Sequence, residues 1–186
     1  EEEVEDSGMR VLLTGGAGFI GSHVARKLLA CHFDVTFLDR LGTSGNLNRV
    51  APDFKDYPGH CEWVYHDLRA PISGQLKGQL GEFDYIFHLA ALTHVDRAIL
   101  DPLAAVYDNV VATTNLLNFA RTQESLSKFF YFSTDEVFGP APEGVKYKEW
   151  DRYRSGNPYA AAKAGGEEMA LAFANTYDLP VVITHT

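Results

Sequence analysis

A tyrosine and a lysine near the end of the chain have the types and spacing of a proton-transfer pair. Tyr159 and Lys163 stand four positions apart, just after Asn157-Pro158. An asparagine before a proline predicts a helix start, because its side chain caps free N–H groups and proline suits the first helical position. Side chains at this spacing share one helix face. Since a nearby cation lowers a tyrosine pKa from its ordinary value of about 10, we expect proton exchange with a hydroxyl group. A solvated helix face is the alternative.

The segment Ser133-Thr134-Asp135-Glu136 places two carboxyl groups directly after an apolar run at 129–132. If that run is a strand of an open α/β sheet, the segment lies at the carboxyl edge, where such sheets bind ligands. One carboxylate can then act as a base while the other stays protonated as an acid, which is the division of labour that an elimination needs. A turn with capping side chains is the alternative interpretation.

A glycine-rich stretch, TGGAGFIG at 14–21, joins the first apolar run to the first helical pattern. Such glycines permit a tight turn, let the backbone approach a pyrophosphate and allow the helix to pack closely on the sheet, with the helix N-terminus facing the anion. The position between a strand and a helix favours a dinucleotide site over a purely structural turn. The residues expected to contact the dinucleotide here are Gly15, Gly18, Phe19, Ile20 and Gly21.

Acidic residues after the next two apolar runs extend this site. Asp39 ends the second run, where a carboxylate accepts hydrogen bonds from the adenosine ribose and disfavours an extra phosphate, so NAD is the expected cofactor. Arg40 beside it keeps NADP as an alternative. Asp67-Leu68 either contacts the adenine edge or forms an ordinary turn. His88 and His94 are either ligand contacts or, more simply, core and surface histidines.

Short apolar runs alternate with helical patterns, which predicts an α/β fold: a doubly wound Rossmann parallel sheet with helices on both faces. We expect one NAD-binding domain over residues 9–186, after an acidic mobile tail at 1–8. A second helix start is expected at Asp101-Pro102, and 140–156 has the composition of a loop. The predicted strands are 11–13, 35–38, 62–65, 85–89, 129–132 and 181–184.

Composition excludes several classes of protein. Of 186 residues, 46% are apolar and 12% aromatic, enough for one substantial core. A formal net charge of -9 without a basic cluster argues against nucleic acid as a partner. Cys31 and Cys61 lack zinc-like spacing, so no metal site is expected. No apolar run approaches the roughly 20 residues that cross a bilayer, so we expect no membrane partner and a cytoplasmic protein.

Four segments of the chain resemble the extended short-chain dehydrogenase/reductases, and among these the dTDP-glucose and UDP-glucose 4,6-dehydratases. They are TGGAGFIGSH at 14–23, HLAALTHVDRA at 88–98, STDEVFG at 133–139 and NPYAAAKAGGE at 157–167. The resemblance implies NAD as cofactor, a nucleotide diphosphate sugar as substrate and a homodimer. It also implies cofactor contacts at Leu89, Ala90, Ala91, Asn109, Tyr159 and Lys163, and substrate contacts at Thr93, His94, Asp96 and Thr134.

The same resemblance implies a redox-neutral reaction. The sugar would be oxidised at C4, water would leave across C5 and C6, and the hydride would return to C6. Tyr159 would take the C4 hydroxyl proton, Lys163 would lower the tyrosine pKa and hold the nicotinamide ribose, and Thr134 would hydrogen-bond the C4 oxygen. Glu136 would remove the C5 proton, and Asp135 would protonate the departing hydroxyl.

Two other functions stay open. An epimerase or decarboxylase of the same class would share the glycine loop and the Tyr/Lys pair, but these enzymes usually lack the Asp-Glu combination. A non-catalytic NAD-binding subunit is the second alternative. The family usually has serine where Ala98 stands and within 160–162. It also continues into a substrate domain that grips the nucleotide diphosphate, so we expect this chain, which lacks that C-terminal domain, to turn over little by itself.

Overall fold

The computed structural model describes residues 8–50 and 56–186. Apart from Gly8, the predicted acidic tail lies outside these ranges. Six strands form in the described residues: β1 (Arg10–Thr14), β2 (Asp34–Asp39), β3 (Cys61–Tyr65), β4 (Tyr85–His88), β5 (Lys128–Ser133) and β6 (Val181–His185). The helices of the same ranges are α1 (Phe19–Ala30), α2 (Gly74–Leu80), α3 (Val95–Leu100), α4 (Pro102–Val106), α5 (Ala112–Ala120) and α6 (Pro158–Tyr177).

The strands form one parallel sheet in the order β3-β2-β1-β4-β5-β6. Each of the six predicted strands is confirmed, with ends that differ by at most one residue. The chain reverses its direction of travel across the sheet between β1 and β4, and a doubly wound sheet opens a ligand crevice at that point, outside the carboxyl ends of its strands. The crevice therefore lies beside the glycine-rich stretch that follows β1.

Helices cover both faces of the sheet, as the continuous apolar runs predicted. On one face, Val11 and Leu13 of β1 pack with Leu29 of α1. On the other face, Leu12 packs with Leu116 of α5 and with residues of α6. All three β1 side chains are 0% exposed, which explains why β1 is apolar at successive positions instead of alternate ones. The predicted doubly wound Rossmann fold is confirmed.

Two predicted helix starts are capped as the sequence indicated. Asp101 Oδ1 accepts a hydrogen bond from Ala104 N at 3.0 Å, and Asn157 Oδ1 accepts one from Ala160 N at 2.8 Å. From Pro102 the chain forms α4, a π-helical turn (Tyr107–Val111) and α5 in direct succession. Loop 140–156 has neither helix nor strand. No helix within 8–50 and 56–186 has the length and apolar character needed to cross a membrane.

Candidate active site

The glycine loop between β1 and α1 is shaped by two close approaches. Gly15 has a φ of 71°, and a Cβ there would lie 2.6 Å from Ala90 N. A Cβ at Gly21 would collide with the carbonyl oxygen of Gly15. Only glycine tolerates both the left-handed backbone and the contact at Gly15. The loop therefore presses against the end of β4, which sets the N-terminus of α1 at the mouth of the crevice.

A cleft of about 950 Å³ opens at this switch point. Sixteen residues predicted for the site line it: Gly15, Gly18, Phe19, Ile20, Gly21, Asp39, Arg40, Asp67, Leu68, Leu89, Ala90, Ala91, Thr93, His94, Tyr159 and Lys163. The structure thus gathers residues from the carboxyl ends of β1 to β5 and from α6 around one cavity. Its volume suits an extended ligand with apolar and polar parts.

Five other residues predicted for the site do not line the cleft: Asp96, Asn109, Thr134, Asp135 and Glu136. Asn109 is 1% exposed in the π-helical turn, where Oδ1 accepts from Leu92 N at 2.8 Å and Nδ2 donates to Leu92 O at 3.0 Å. Its amide is fully used in fixing the segment after β4, so the residue shapes the cleft wall from behind. Asp96 is exposed on α3.

The end of the cleft beside β2 is strongly charged. Asp39 accepts hydrogen bonds from Leu41 N at 2.8 Å and Ala17 N at 3.4 Å. Arg40 pairs with Asp108 at 2.7 Å and Asp67 at 3.3 Å. The Arg69 side chain, hydrogen-bonded to Asp67 at 2.5 Å, is the main cause that lowers the Asp67 pKa to about 2. Because Arg40 is already neutralised, it is not a free phosphate receptor, which favours NAD over NADP at this end.

Tyr159 lies 8% exposed near the start of α6, and burial raises its pKa. A hydrogen bond with the Thr134 side chain lowers that pKa, while the charges of Glu136 and Asp135 raise it. The sequence led us to expect a pKa lowered by Lys163 together with a cationic nicotinamide. In the chain without cofactor the Tyr159 pKa lies above its ordinary value, because desolvation of the phenolate and two nearby carboxylates outweigh the favourable contact with Thr134.

Lys163 is 4% exposed, one turn along α6. Its Nζ donates to Phe132 O at 2.6 Å and lies 4.3 Å from the ring centroid of Tyr131. Burial lowers the pKa of Lys163 to about 7, and the charge of Glu167 opposes this shift. The ammonium is therefore anchored to the end of β5, at the same edge as the glycine loop.

The acidic segment forms a short 3-10 turn (Asp135–Phe138) capped by Thr134, whose Oγ1 accepts from Glu136 N at 3.4 Å. Glu136 Oε2 accepts from Asn157 Nδ2 at 2.9 Å. Asn157 also caps α6 just before Tyr159, so one side chain ties the acid to the helix that carries the phenol. The two interpretations of this segment are compatible, since the capped turn sets both carboxyl groups where their charges act on Tyr159.

Sequence reasoning missed part of the cleft wall. The loop after β2 lines it at 42–46, and Asn46 N donates to Ala17 O at 3.1 Å, which lays this loop over the glycine loop. Arg97 also lines the cleft and donates to Thr43 Oγ1 at 2.8 Å. The signal was present: GTSGN is a run of small and polar residues at the carboxyl end of β2, where a Rossmann sheet places its ligand.

The two histidines predicted near the site have different surroundings. The simpler interpretation, a core histidine, holds for His88. His88 is 1% exposed, between Thr14 Oγ1 at 2.7 Å and Thr113 Oγ1 at 2.9 Å, so it is a satisfied core histidine. His94 lines the cleft. Across the described part of the chain, no group of three or more His, Cys, Asp or Glu residues is arranged to hold a metal ion.

The chain has a short-chain dehydrogenase/reductase-like dinucleotide fold. Three features define it: a parallel sheet of this strand order, a glycine loop at its switch point and a Tyr/Lys pair on the helix beside it. The chain belongs to the GDP-mannose 4,6-dehydratase family, whose model matches residues 12–186. The predicted family resemblance is confirmed.

Curated relatives and solved structures agree with this assignment. A dTDP-glucose 4,6-dehydratase of Streptomyces niveus is 40% identical over 95% of this chain and 52% of its own length. The structure of DesIV, a dTDP-glucose 4,6-dehydratase from Streptomyces venezuelae solved with NAD, superposes with a TM-score of 0.86 at 39% identity, over 95% of this chain and 55% of that one. A Thermus thermophilus UDP-glucose 4-epimerase, also in complex with NAD, has a TM-score of 0.81 at 31% identity, over 95% and 54%. The chain spans about half the length of the curated relatives it matches.

Proposed function

We propose that this chain is the NAD-binding part of a nucleotide-sugar 4,6-dehydratase, organised as one cofactor domain over residues 9–186. The observation that carries the proposal is the grouping of Tyr159, which lines the dinucleotide cleft, with Thr134, Asp135 and Glu136, which directly follow the cleft-lining Ser133. Dehydratase relatives at up to 40% identity support it. Because the chain spans about half of those relatives, the activity is proposed for the full-length protein.

The residues of the cleft fit NAD. No side chain caps the start of α1 and its first turn has no acidic residue, so these N–H groups can receive a pyrophosphate. Gly15 and Gly18 line the cleft without side chains, so a ligand can approach the backbone of the loop there. Asp39 would accept hydrogen bonds from the adenosine ribose. Bound NAD supplies a hydride acceptor and a positive charge next to Tyr159.

Tyr159 would act as the base that takes the C4 hydroxyl proton while hydride leaves the carbon. Its raised pKa means that the buried phenol holds its proton until positive charge comes close. The Lys163 ammonium would supply part of that charge and hydrogen-bond the nicotinamide ribose. Thr134, already in contact with the phenol, would hold the C4 oxygen as it becomes a carbonyl.

The acid pair would perform the elimination. Glu136 would remove the C5 proton once the C4 carbonyl has acidified it, and Asp135 would give a proton to the departing C6 hydroxyl. The fixed position of Glu136 against Asn157 favours this assignment, since that contact keeps the base beside the helix that carries Tyr159. The hydride would return to C6, so that the reaction would need no net oxidant.

Incubation of the full-length protein with dTDP-glucose and UDP-glucose tests the proposal. We expect a 4-keto-6-deoxy product from one of them, without net reduction of NAD. Glu136→Gln should abolish that product while transient NAD reduction remains, because oxidation at C4 does not use Glu136. If neither sugar nucleotide yields a 4-keto-6-deoxy sugar, the dehydratase proposal fails.

An epimerase is the second candidate, because solved UDP-glucose 4-epimerases share the fold with TM-scores of 0.81 and 0.82. An epimerase needs the phenol and the cofactor but not the acid pair. Glu136→Gln therefore separates the two: an epimerase would interconvert C4 epimers at nearly the unmodified rate. Product analysis by NMR distinguishes an inverted C4 centre from a 4-keto-6-deoxy sugar.

We further propose that the full-length protein is a cytoplasmic homodimer. Large apolar side chains are exposed along α3, α4 and the π-helical turn, including Leu100 at 86%, Leu103 at 60% and Tyr107 at 46%. A contiguous apolar surface of this kind favours association between copies. Light scattering after size exclusion should give twice the monomer mass, and Leu103→Glu should shift it to the monomer.

A further inference from the structure

Glu167 is a buried carboxylate that the proposed reaction does not use. It lies 2% exposed on α6, one turn beyond Lys163. Burying a charged carboxylate is costly unless donors replace its lost water. Three side chains do so: Ser133 Oγ at 2.5 Å, Tyr153 OH at 2.5 Å and His185 Nε2 at 3.0 Å. Both carboxylate oxygens are therefore satisfied as acceptors in the anionic form.

The three donors come from different parts of the chain that meet at the active edge of the sheet. Ser133 ends β5 and directly precedes Thr134, Tyr153 belongs to loop 140–156, and His185 ends β6. One carboxylate thus joins the catalytic segment, the loop beside it and the last strand to α6. A side chain that does only local packing would not need partners from three segments.

Three successive residues of β5 form hydrogen bonds with the same two turns of α6. Tyr131 OH donates to Lys163 O at 3.0 Å, Phe132 O accepts from Lys163 Nζ at 2.6 Å, and Ser133 Oγ donates to Glu167. Lys163 has lost almost all of its water, a situation that favours the neutral amine. The negative charge of Glu167 acts on Lys163 in the opposite sense.

We propose that Glu167 is a positioning residue: its buried carboxylate holds Ser133, and with it Thr134, against α6 and places a negative charge one turn along the helix from the Lys163 ammonium. This rests on the proposed function, in which Lys163 must carry a positive charge beside Tyr159. Glu167 does not line the cleft, so it acts through its neighbours and not on the reacting atoms.

The other titratable groups around Lys163 and Glu167 do not supply the negative charge that acts on Lys163. Burial keeps the pKa of His88 low, at about 3, and raises the pKa values of Tyr131, Tyr153 and Tyr159. These groups are neutral at physiological pH. The groups that face Lys163 and Glu167 are His88 from β4, Tyr131 from β5, Tyr153 from loop 140–156, His185 from β6 and Tyr159 on α6.

Glu167→Gln tests the charge, because glutamine keeps the shape and an acceptor but is neutral. Tyr153→Phe is the matched control, since it deletes one hydrogen bond to Glu167 and leaves the charge. In the full-length protein we expect Glu167→Gln to lower kcat about tenfold with KM nearly unchanged, and to move the alkaline limb of the kcat profile about one unit lower in pH. Tyr153→Phe should leave the limb in place.

Titration of Lys163 itself provides a readout that does not need dehydratase activity. In protein labelled with [ε-¹³C]lysine, the NMR signal that disappears in Lys163→Arg belongs to Lys163. We expect its midpoint to fall in Glu167→Gln and to stay in Tyr153→Phe. An identical Lys163 midpoint in Glu167→Gln and the unmodified protein overturns the inference. A shifted midpoint without any 4-keto-6-deoxy product supports the inference and rejects only the proposed function. Should Glu167→Gln not fold, Glu167→Asp replaces it: the charge is kept, so a lowered midpoint there also overturns the inference.

Discussion

At the scale of single residues, the central difficulty is that Tyr159 is a poor base in its own surroundings. Burial and the charges of Asp135 and Glu136 all raise its pKa, and the contact with Thr134 lowers it. The carboxylates proposed to serve the elimination would therefore oppose the oxidation that precedes it. A cationic nicotinamide and the Lys163 ammonium are the charges that would resolve this conflict, so oxidation and cofactor binding are coupled.

Thr134→Val tests the opposing effects of Thr134 and the carboxylates on the Tyr159 pKa. Loss of the hydroxyl removes the hydrogen bond that lowers the Tyr159 pKa, and the phenolate is the active form. The acidic limb of the rate of C4 oxidation should therefore move to higher pH, with about a tenfold loss near neutrality. Stopped-flow absorbance of NADH across pH 5.5–9 measures it. Thr134→Ser keeps the hydroxyl and should keep the limb; a limb that stays in place in Thr134→Val contradicts the assignment.

Lys163 should also make the free energy of unfolding depend on pH. Its folded-state pKa is about 7, below the ordinary value of 10.5, so the folded protein holds fewer protons than the unfolded chain between these two values. Stability must then rise with pH through this window, while the cost of the buried charge is fully present below pH 7. We expect Lys163→Met to flatten the rise by at least about 1 kcal/mol, or roughly 2–4 °C in Tm. Thermal unfolding at intervals from pH 6.5 to 10 tests this, and an unchanged slope would rule it out.

At the scale of elements, the contact between α6 and β5 sets the catalytic geometry. A Cβ on Gly166 would lie 2.5 Å from Tyr131 OH and would also collide with the carbonyl oxygen of Asn109. Small residues also pack on another side of α6: Ala98 of α3 and Ala162 of α6 belong to one buried cluster, and Ala160 is fully buried. Most of the positions where the family usually has serine are thus packed, where a methyl group is sufficient, while Ala161 is exposed.

Gly166→Ala should push α6 away from β5. We expect a loss of about 1–3 kcal/mol in the free energy of unfolding, and a fall in kcat because Tyr159 and Lys163 move with the helix. Gly78→Ala in α2 is the matched control, since a Cβ there meets nothing within 4 Å. That variant should gain about 0.4–1 kcal/mol. Urea unfolding of both variants decides, and equal effects would contradict the close-packing argument.

His88 links three elements through one hydrogen-bonded chain. Thr113 Oγ1 already donates to Asn109 O at 2.8 Å, so His88 Nε2 must donate to Thr113, and Nδ1 accepts from Thr14. Only the neutral ring fits this pattern. Burial, with a smaller effect of the Lys163 charge, accordingly lowers the pKa of His88 to about 3.

Acid should therefore destabilise the fold through His88. Between its ordinary pKa of 6.5 and the folded value of about 3, the unfolded chain binds a proton that the folded protein does not. Stability is fully present above this window and is lost as pH falls through it. His88→Asn should cost about 1–3 kcal/mol at pH 7 and show a shallower acid decline. Denaturant unfolding at pH 7, 5.5 and 4.5 compares the slopes; parallel declines would refute the role of His88.

At the scale of the whole molecule, the sequence predicted the structural features that depend on local residue patterns. Six strands, the capped starts of α4 and α6 and the glycine loop are encoded by residues close together in the chain. What it could not give depends on contacts between distant segments: the π-helical turn that carries Asn109, the loop at 42–46 folded over Ala17, and the donors of Glu167. The raised pKa of Tyr159 in the chain without cofactor has the same origin, because burial is a property of the complete fold.

Cofactor choice belongs to this scale, because β2, β3 and the π-helical turn all contribute to it. Asp108 in the turn holds Arg40 at 2.7 Å and so keeps that guanidinium from a 2′-phosphate. Asp108→Asn should free Arg40, which remains paired more loosely with Asp67 at 3.3 Å. We expect the Kd for NADP to fall about tenfold, or ~1.4 kcal/mol, with little change for NAD.

The matched control for this change is Asp96→Asn, which removes an exposed aspartate of α3 that does not line the cleft. Both variants lose one negative charge, so any general electrostatic attraction for the extra phosphate affects them alike and is screened by salt. Calorimetric titration of NAD and NADP into the full-length variants separates the two effects. Equal gains in NADP affinity for Asp108→Asn and Asp96→Asn would mean that net charge, and not the release of Arg40, sets the preference.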